Sequence, residues 1–369
     1  MLNNYFSGSY DPQDTIFLLK VIDIPPLETS EREFRIQSGQ IHYSEMIGPE
    51  APPEEKYLRV YRKSLDRNLK RLALDFVKLA LVISKSKKGP LTLVSIARSG
   101  TPVGAILGRV LRHLFKRQVC HYSISVIRDK GLDRNALKHI LSLHQPESLI
   151  FIDGWTGKGV IARELHKSIL SFKAEESIFL DPFLTVLSDP AGAAGLSVGT
   201  DDYLIPSCLL NSLVSGLISR TILNEAYIGP NDFHGCLYYE NLKQYDLSQS
   251  LVDEVSRVAI SESKSLDFDL DYKIPQGEIE IAAQKSHLFM ENTKERFGIK
   301  DENLIKPGLG ESTRVLLRRQ PELLMVKNLD DLDLEHLLYL AKEKAVPVEE
   351  IRDLPYRAVA IIKNLNLNG

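Results

Sequence analysis

Asp153, Thr156 and Lys158 lie close together in Ser148-Leu-Ile-Phe-Ile-Asp-Gly-Trp-Thr-Gly-Lys-Gly-Val160, interleaved with Gly154, Gly157 and Gly159. An acid, a hydroxyl and a cation so spaced could hold a phosphorylated ligand. Glycine lets the backbone approach a ligand and take positive φ; Thr156 can donate and Lys158 can neutralise. Asp153 can meet sugar hydroxyls or hydrated Mg²⁺, which takes one or two carboxylates and keeps several waters. The apolar run before Asp153 predicts a buried strand, and residues 161–169 predict a helix. The turn therefore falls where a helix N-terminus presents free N–H groups and a positive dipole end to an anion. A plain strand-to-helix turn capped by Asp153 is the competing reading.

A second turn of this kind precedes it. Residues 91–97 read as a strand, Arg98-Ser-Gly-Thr-Pro102 as a turn and 103–115 as an amphipathic helix with Pro102 at its first turn. Arg98, with the backbone of Ser99 and Gly100, would make another anion pocket, since a guanidinium binds phosphate oxygens bidentately. Asp189, after a strand at 184–187, and Asp232 with His234, in Asp232-Phe-His-Gly235, are candidates for the rim or acceptor side. Each is also explained by an ordinary turn.

The three cysteines, Cys120, Cys208 and Cys236, are too few for a disulfide framework and lack zinc spacing. Cys208 starts the apolar run 208–218, which reads as a buried helix. A thiol at a helix N-terminus can be acidified, so Cys208 or Cys236 with His234 could form a nucleophile and base; buried core thiols are the alternative.

These turns need a frame. A chain of 369 residues with 43% hydrophobic and 26% charged residues is expected to fold as two globular domains. A net charge of -3 provides no bulk attraction to nucleic acid or membrane. Apolar runs stay below the roughly 18 residues of a membrane helix, and the N-terminus lacks a signal pattern, so a cytoplasmic protein without membrane contact is expected.

The ordered turns resemble the phosphoribosyltransferase fold. The resemblance implies pyrophosphate at Arg98, Ser99 and Gly100. It places a ribose 5-phosphate at Thr156, Gly157, Lys158 and Gly159, with Asp153 as catalytic acid holding ribose and, through water, Mg²⁺. It also implies a closing loop at 128–135 and an acceptor base near Asp189. Gly154 stands where that family has a second acid. Phrases such as His42-Tyr-Ser-Glu-Met46, His121-Tyr-Ser-Ile-Ser125, Asp189-Pro-Ala-Gly192 and Asp232-Phe-His-Gly235 are similar to the phosphoribosyltransferase-like proteins of bacterial tellurite-resistance and stress operons. That group is also called the cysteine protease StiP family.

From about residue 286 the pattern changes to a compact α/β alternation. Lys306-Pro-Gly-Leu-Gly-Glu-Ser-Thr-Arg314 and Lys342-Glu-Lys-Ala-Val-Pro347 resemble the PELOTA RNA-binding domain. In the wider family the turn is Gly-Asn-Glu-x-Thr-Lys; here Gly310 replaces the Asn, while Glu311, Thr313 and Arg314 remain. With Arg318 one turn on, these residues imply an RNA-facing helix, against the alternative of a solvated helix face.

The expectation is an α/β protein: a hood at 1–56, a phosphoribosyltransferase-like parallel sheet domain at 57–260, a linker at 261–285 and a small α/β/α sandwich at 286–369. The implied function is making or breaking an N-glycosidic bond of a phosphorylated ribose or nucleotide-like metabolite under stress. Two alternatives stand beside it, a non-catalytic nucleotide-sensing RNA regulator and a StiP-type cysteine protease. The sequence leaves a homodimer open.

Overall fold

A computed structural model describes residues 6–263 and 276–365. The apolar strand runs pair side by side because helices cover both of their faces, as parallel strands require. The resulting six-stranded sheet runs Ile16–Phe17, Val119–Ile124, Leu91–Ile96, Leu149–Ile152, Leu184–Val186, Leu196–Ser197. Every neighbouring pair is parallel. Ser95 pairs with Ile152, so the turns at Arg98 and Asp153 emerge side by side from the two central strands. Gly100 permits this closeness, since a Cβ there would sit 2.4 Å from the Ile152 carbonyl oxygen.

Helices Glu55–Ser86, Gly100–Leu114 and Ser248–Glu262 cover one face of the sheet, and Arg134–Leu141 and Val160–Glu176 cover the other. The expected loop at 128–135 is instead a short hairpin, Val126–Ile127 with Gly131–Leu132, running into helix Arg134–Leu141. Asp133 starts that helix by accepting the Ala136 N–H at 3.0 Å.

The helix expected at 208–218 does not form. Two 3₁₀ turns, Pro206–Cys208 and Asn211–Val214, stand there, with Asn211, Gly216 and Leu217 at positive φ. Asp202, just before them, turns toward the C-terminal module. A short apolar run reports burial without fixing backbone period.

The linker expected at 261–285 is also revised. Helix Ser248–Glu262 enters it, and helix Gln276–Phe297 fills its last part; residues 264–275 lie outside the described residues. The small C-terminal sheet has the order Ile305–Pro307, Ala358–Ile362, Pro321–Val326, Val348–Glu350, antiparallel except for the last pair. Ile305–Pro307 is an edge strand where a turn was expected. Helices Leu309–Arg318 and Glu335–Glu343 pack against this sheet.

The two modules share a core. One buried cluster runs from Leu72 and Phe76 through Cys208 and Leu209 to Leu309, Val315 and Ala358. The polar side of the long helix Glu55–Ser86 takes part as well. Asn68 donates to Asp333 at 2.9 Å, and Arg71 pairs with Asp201 at 2.6 Å while stacking on Tyr203.

Candidate functional site at the seam between the modules

A cavity of about 720 Å³ lies where the two sheet-edge turns meet helix Leu309–Arg318. Its wall comes from three stretches distant in sequence. The N-terminal arm supplies Arg32, Tyr43 and Glu50; the sheet domain supplies Arg98, Arg128, Asp153, Trp155, Lys158 and Arg220; the C-terminal module supplies Lys306, Glu311, Arg314, Arg318 and Arg319. Cations outnumber carboxylates along this wall.

Asp153 is 6% exposed, and its Oδ1 accepts the Ser99 hydroxyl at 2.6 Å and the Gly154 N–H at 2.8 Å. Burial raises its pKa to about 6 against these hydrogen bonds. Mg²⁺ was expected here. The site offers a cation a single carboxylate, and among the described residues no group of three His, Cys, Asp or Glu converges.

The rest of the expected phosphate turn is engaged by protein. The Thr156 hydroxyl donates to Asp189 at 2.5 Å, and Asp189, fully buried, also accepts the Ala193 and Ala194 N–H groups. Lys158 donates to the Glu302 carbonyl, and burial lowers its pKa to about 8. Tyr356 donates to the Gly157 carbonyl at 3.0 Å, and a Cβ on Gly157 would lie 2.9 Å from Glu311. Gly159 takes φ of 74° to start helix Val160–Glu176. Arg98 turns away from this loop, donating to the Ile218 carbonyl at 2.9 Å and to Glu50 at 3.2 Å.

The turn expected to face RNA points into the seam. Trp155 lies so close over Gly310 that a Cβ there would come within 2.2 Å of the indole, which leaves no room for the Asn of the wider pattern. Glu311 pairs with Arg314 at 2.6 Å, and Arg314 stacks on Trp155. Thr313, fully buried, donates to the Leu309 carbonyl. Arg318 approaches Glu50, and Arg319 pairs with the buried Glu33. The free N–H that opens the helix, on Leu309, is taken by Asp202 at 3.0 Å.

The thiols occupy separate surroundings. Cys236 pairs with Val21 in a two-stranded ladder and is fully buried; burial pushes its thiol up to about 12. His234 contacts the Ser125 hydroxyl at 2.9 Å through Nδ1, and its backbone N–H donates to Asp133. Asp232 is held by Lys20 at 2.7 Å. Cys208 is 3% exposed and lies against Thr313, with its thiol pushed up to about 12 by burial and eased by the Thr313 hydroxyl. Thr313 contacts His336 Nε2 at 2.7 Å. Cys120 is exposed and starts strand Val119–Ile124.

Residues 8–256 match the family model described as "Tellurite-like stress resistance cysteine protease StiP". A curated relative, "Cysteine protease StiP" of Acinetobacter baylyi (strain ATCC 33305 / BD413 / ADP1), is 35% identical over 377 residues, 99% of this chain and 96% of that protein. The chain belongs to the StiP family. Residues 284–364 of this StiP-family chain also match the model described as "PELOTA RNA binding domain".

Among solved structures, one reported as "Analysis of an invariant aspartic acid in HPRTs-asparagine mutant" matches 36% of this chain and 76% of its own, at 17% identity and a TM-score of 0.26. An aromatic aminotransferase from Pyrococcus horikoshii OT3 matches 73% and 78% at 10% identity and a TM-score of 0.19. The expectation of phosphoribosyl transfer is overturned by the family assignment, because both the StiP family model and the curated relative carry a protease description. The carry-over went wrong at turns whose side chains are spent on the protein itself.

Residues missed from sequence are Arg32, Glu50, Trp155, Asp202, Arg220, Lys306 and His336. Arg32, Arg220 and Asp202 meet partners 286, 174 and 107 positions away, while Glu50–Arg98 and Thr313–His336 are 48 and 23 apart, and no local spacing marks any of them.

Proposed function

We propose that this chain is a thiol peptidase of the StiP family, with Cys208 as its nucleophile and a C-terminal module that binds RNA and controls access to that thiol. Family membership supports the activity class. The observation that selects the residue is the chain Cys208, Thr313, His336: of the three cysteines, Cys208 alone has a hydroxyl leading to an imidazole. In the reaction, Cys208 Sγ would add to the peptide carbonyl carbon. Once the Thr313 hydroxyl turns its proton from the Leu309 carbonyl to His336, the thiol proton would pass through it to the imidazole and then to the leaving amine, and water would release the acyl group.

The closed arrangement is latent. Burial pushes the thiol up to about 12 and His336 down to about 3. Proton transfer between them is then strongly uphill. Loosening of the seam, with water reaching both groups, is required before attack.

Iodoacetamide labelling mapped by mass spectrometry, together with hydrolysis of an unfolded protein substrate, tests the assignment. Slow labelling of Cys208, and hydrolysis abolished by Cys208→Ser and by His336→Ala while Cys236→Ser is active, are expected. Hydrolysis that survives Cys208→Ser would rule this nucleophile out. A second reading, a non-catalytic RNA-binding regulator, is favoured by the burial of Cys208 and Cys236. Neither labelling nor hydrolysis under any condition would establish it.

A further inference from the structure

Four arginines, Arg32, Arg98, Arg220 and Arg318, line one cavity, and two of them, Arg98 and Arg318, reach a single carboxylate, Glu50. Arg98 and Arg318 reach Glu50 Oε2 at 3.2 and 3.8 Å. The other oxygen, Oε1, already accepts the Ser212 N–H at 2.9 Å and the Ser212 hydroxyl at 2.5 Å. Arg32 and Arg98 are each only 8% exposed, and Arg32 donates to the Arg318 carbonyl at 2.6 Å. Arg220 spends Nη2 on the Met46 carbonyl. Its Nη1, and Nη2 of Arg318, are buried without a hydrogen-bond partner.

The neighbouring charges do not cancel this surplus. Glu33 is taken by Arg319, and Glu311 by Arg314. Burial and the charges of Arg32 and Arg98 pull the Arg220 pKa down to about 10. Burial similarly lowers Lys306, which faces the same cavity, to about 7. A buried cation is expensive unless paired, and an unpaired buried donor forfeits its hydrogen bond to water. The cavity wall carries more cations than carboxylates, and an external anion would balance the excess.

We propose that this arginine cluster is the binding site of a small phosphate-bearing anion that bridges the two modules. Guanidinium forks match phosphate oxygens in geometry and charge. Arg220 Nη1, which has no hydrogen-bond partner, and Arg318 Nη2, which approaches Glu50 only at 3.8 Å, supply the donors, one from each module. A cavity of about 720 Å³ has room for a ligand of nucleotide size. Tyr43, over which Arg220 stacks, provides an aromatic wall. The site is independent of the peptidase reading, because it uses neither Cys208 nor His336 and requires no reaction.

The test uses the full chain at low salt, with inorganic pyrophosphate and ADP as probes, followed by calorimetry and by thermal unfolding. Both probes are expected to bind and to raise Tm, and Arg220→Gln and Arg318→Gln are each expected to weaken binding at least tenfold. Without ligand, both variants should melt at or above the parental temperature, since each removes an uncompensated charge. A lower ligand-free Tm would make the guanidinium a structural partner and overturn the proposal. So would unchanged binding in both variants, or no binding by the parent. A short 5′-phosphorylated RNA is the comparison arm; Arg220-dependent binding of that RNA alone, without pyrophosphate or ADP, would also reject the small-molecule site.

Discussion

Asp153 shows how one residue can be found correctly and given the wrong environment. Its place at the end of a buried strand was legible, because an apolar run followed by an acid and a glycine leaves few other arrangements. Its pKa is raised to about 6 by burial, while Ser99, Arg314 and Gly154 oppose that rise. An unfolded Asp titrates near about 3.9, so the folded state holds the proton more tightly. That contribution to stability is complete below about pH 4 and is lost as pH rises through about 6. Relative to Asp153→Asn, the parent should therefore gain up to about 3 kcal/mol between pH 7 and pH 4, read by urea denaturation. Parallel stability profiles for the two proteins would return this carboxyl to the ordinary range. Gly310 makes the converse point: its departure from the Gly-Asn-Glu pattern was visible, but its cause, Trp155 from the other module, was not.

Helix Leu309–Arg318 was anticipated within two residues, from its glycine-rich start and amphipathic spacing. What it faces was not. Asp202 accepts the Leu309 N–H at 3.0 and 3.1 Å through its two oxygens and the Arg357 N–H at 2.9 Å, filling the helix N-terminus where an RNA phosphate would otherwise sit. If RNA uses this turn, Asp202→Ala should bind RNA more tightly than the parent and with a steeper salt dependence, despite losing about 1–2 kcal/mol of stability with the cap. Filter binding at two salt concentrations decides it. Equal affinities would move the RNA surface to another face of the module.

At the scale of the molecule, the decisive feature is the continuous core joining the sheet domain to the C-terminal module. Ion pairs reinforce it, with Arg357 reaching Asp201 at 2.9 Å and Asp333 at 3.1 Å. Two modules sharing one core should unfold together. Trp155 is the sole tryptophan and lies on the seam, so its emission reports the interface while far-UV circular dichroism reports the helices. Coincident denaturation curves are expected. A Trp155 transition well before the loss of helix would show that the modules part while still folded.

The sequence by itself determined the parallel sheet, its central strands, the principal helices and the change of composition that introduces the C-terminal module. These follow from hydrophobic period and turn chemistry, which act over a few residues. It also pointed to the StiP family among its alternatives. Tertiary structure alone decided that 208–218 is irregular, that Thr313 meets His336, and that Thr156 and Lys158 are bound by their own chain. It also gathered Arg32, Arg98, Arg220 and Arg318 along one cavity. The physical reason is the same in each instance: a side chain's partner is chosen by packing between segments far apart in sequence, and local spacing carries no record of it.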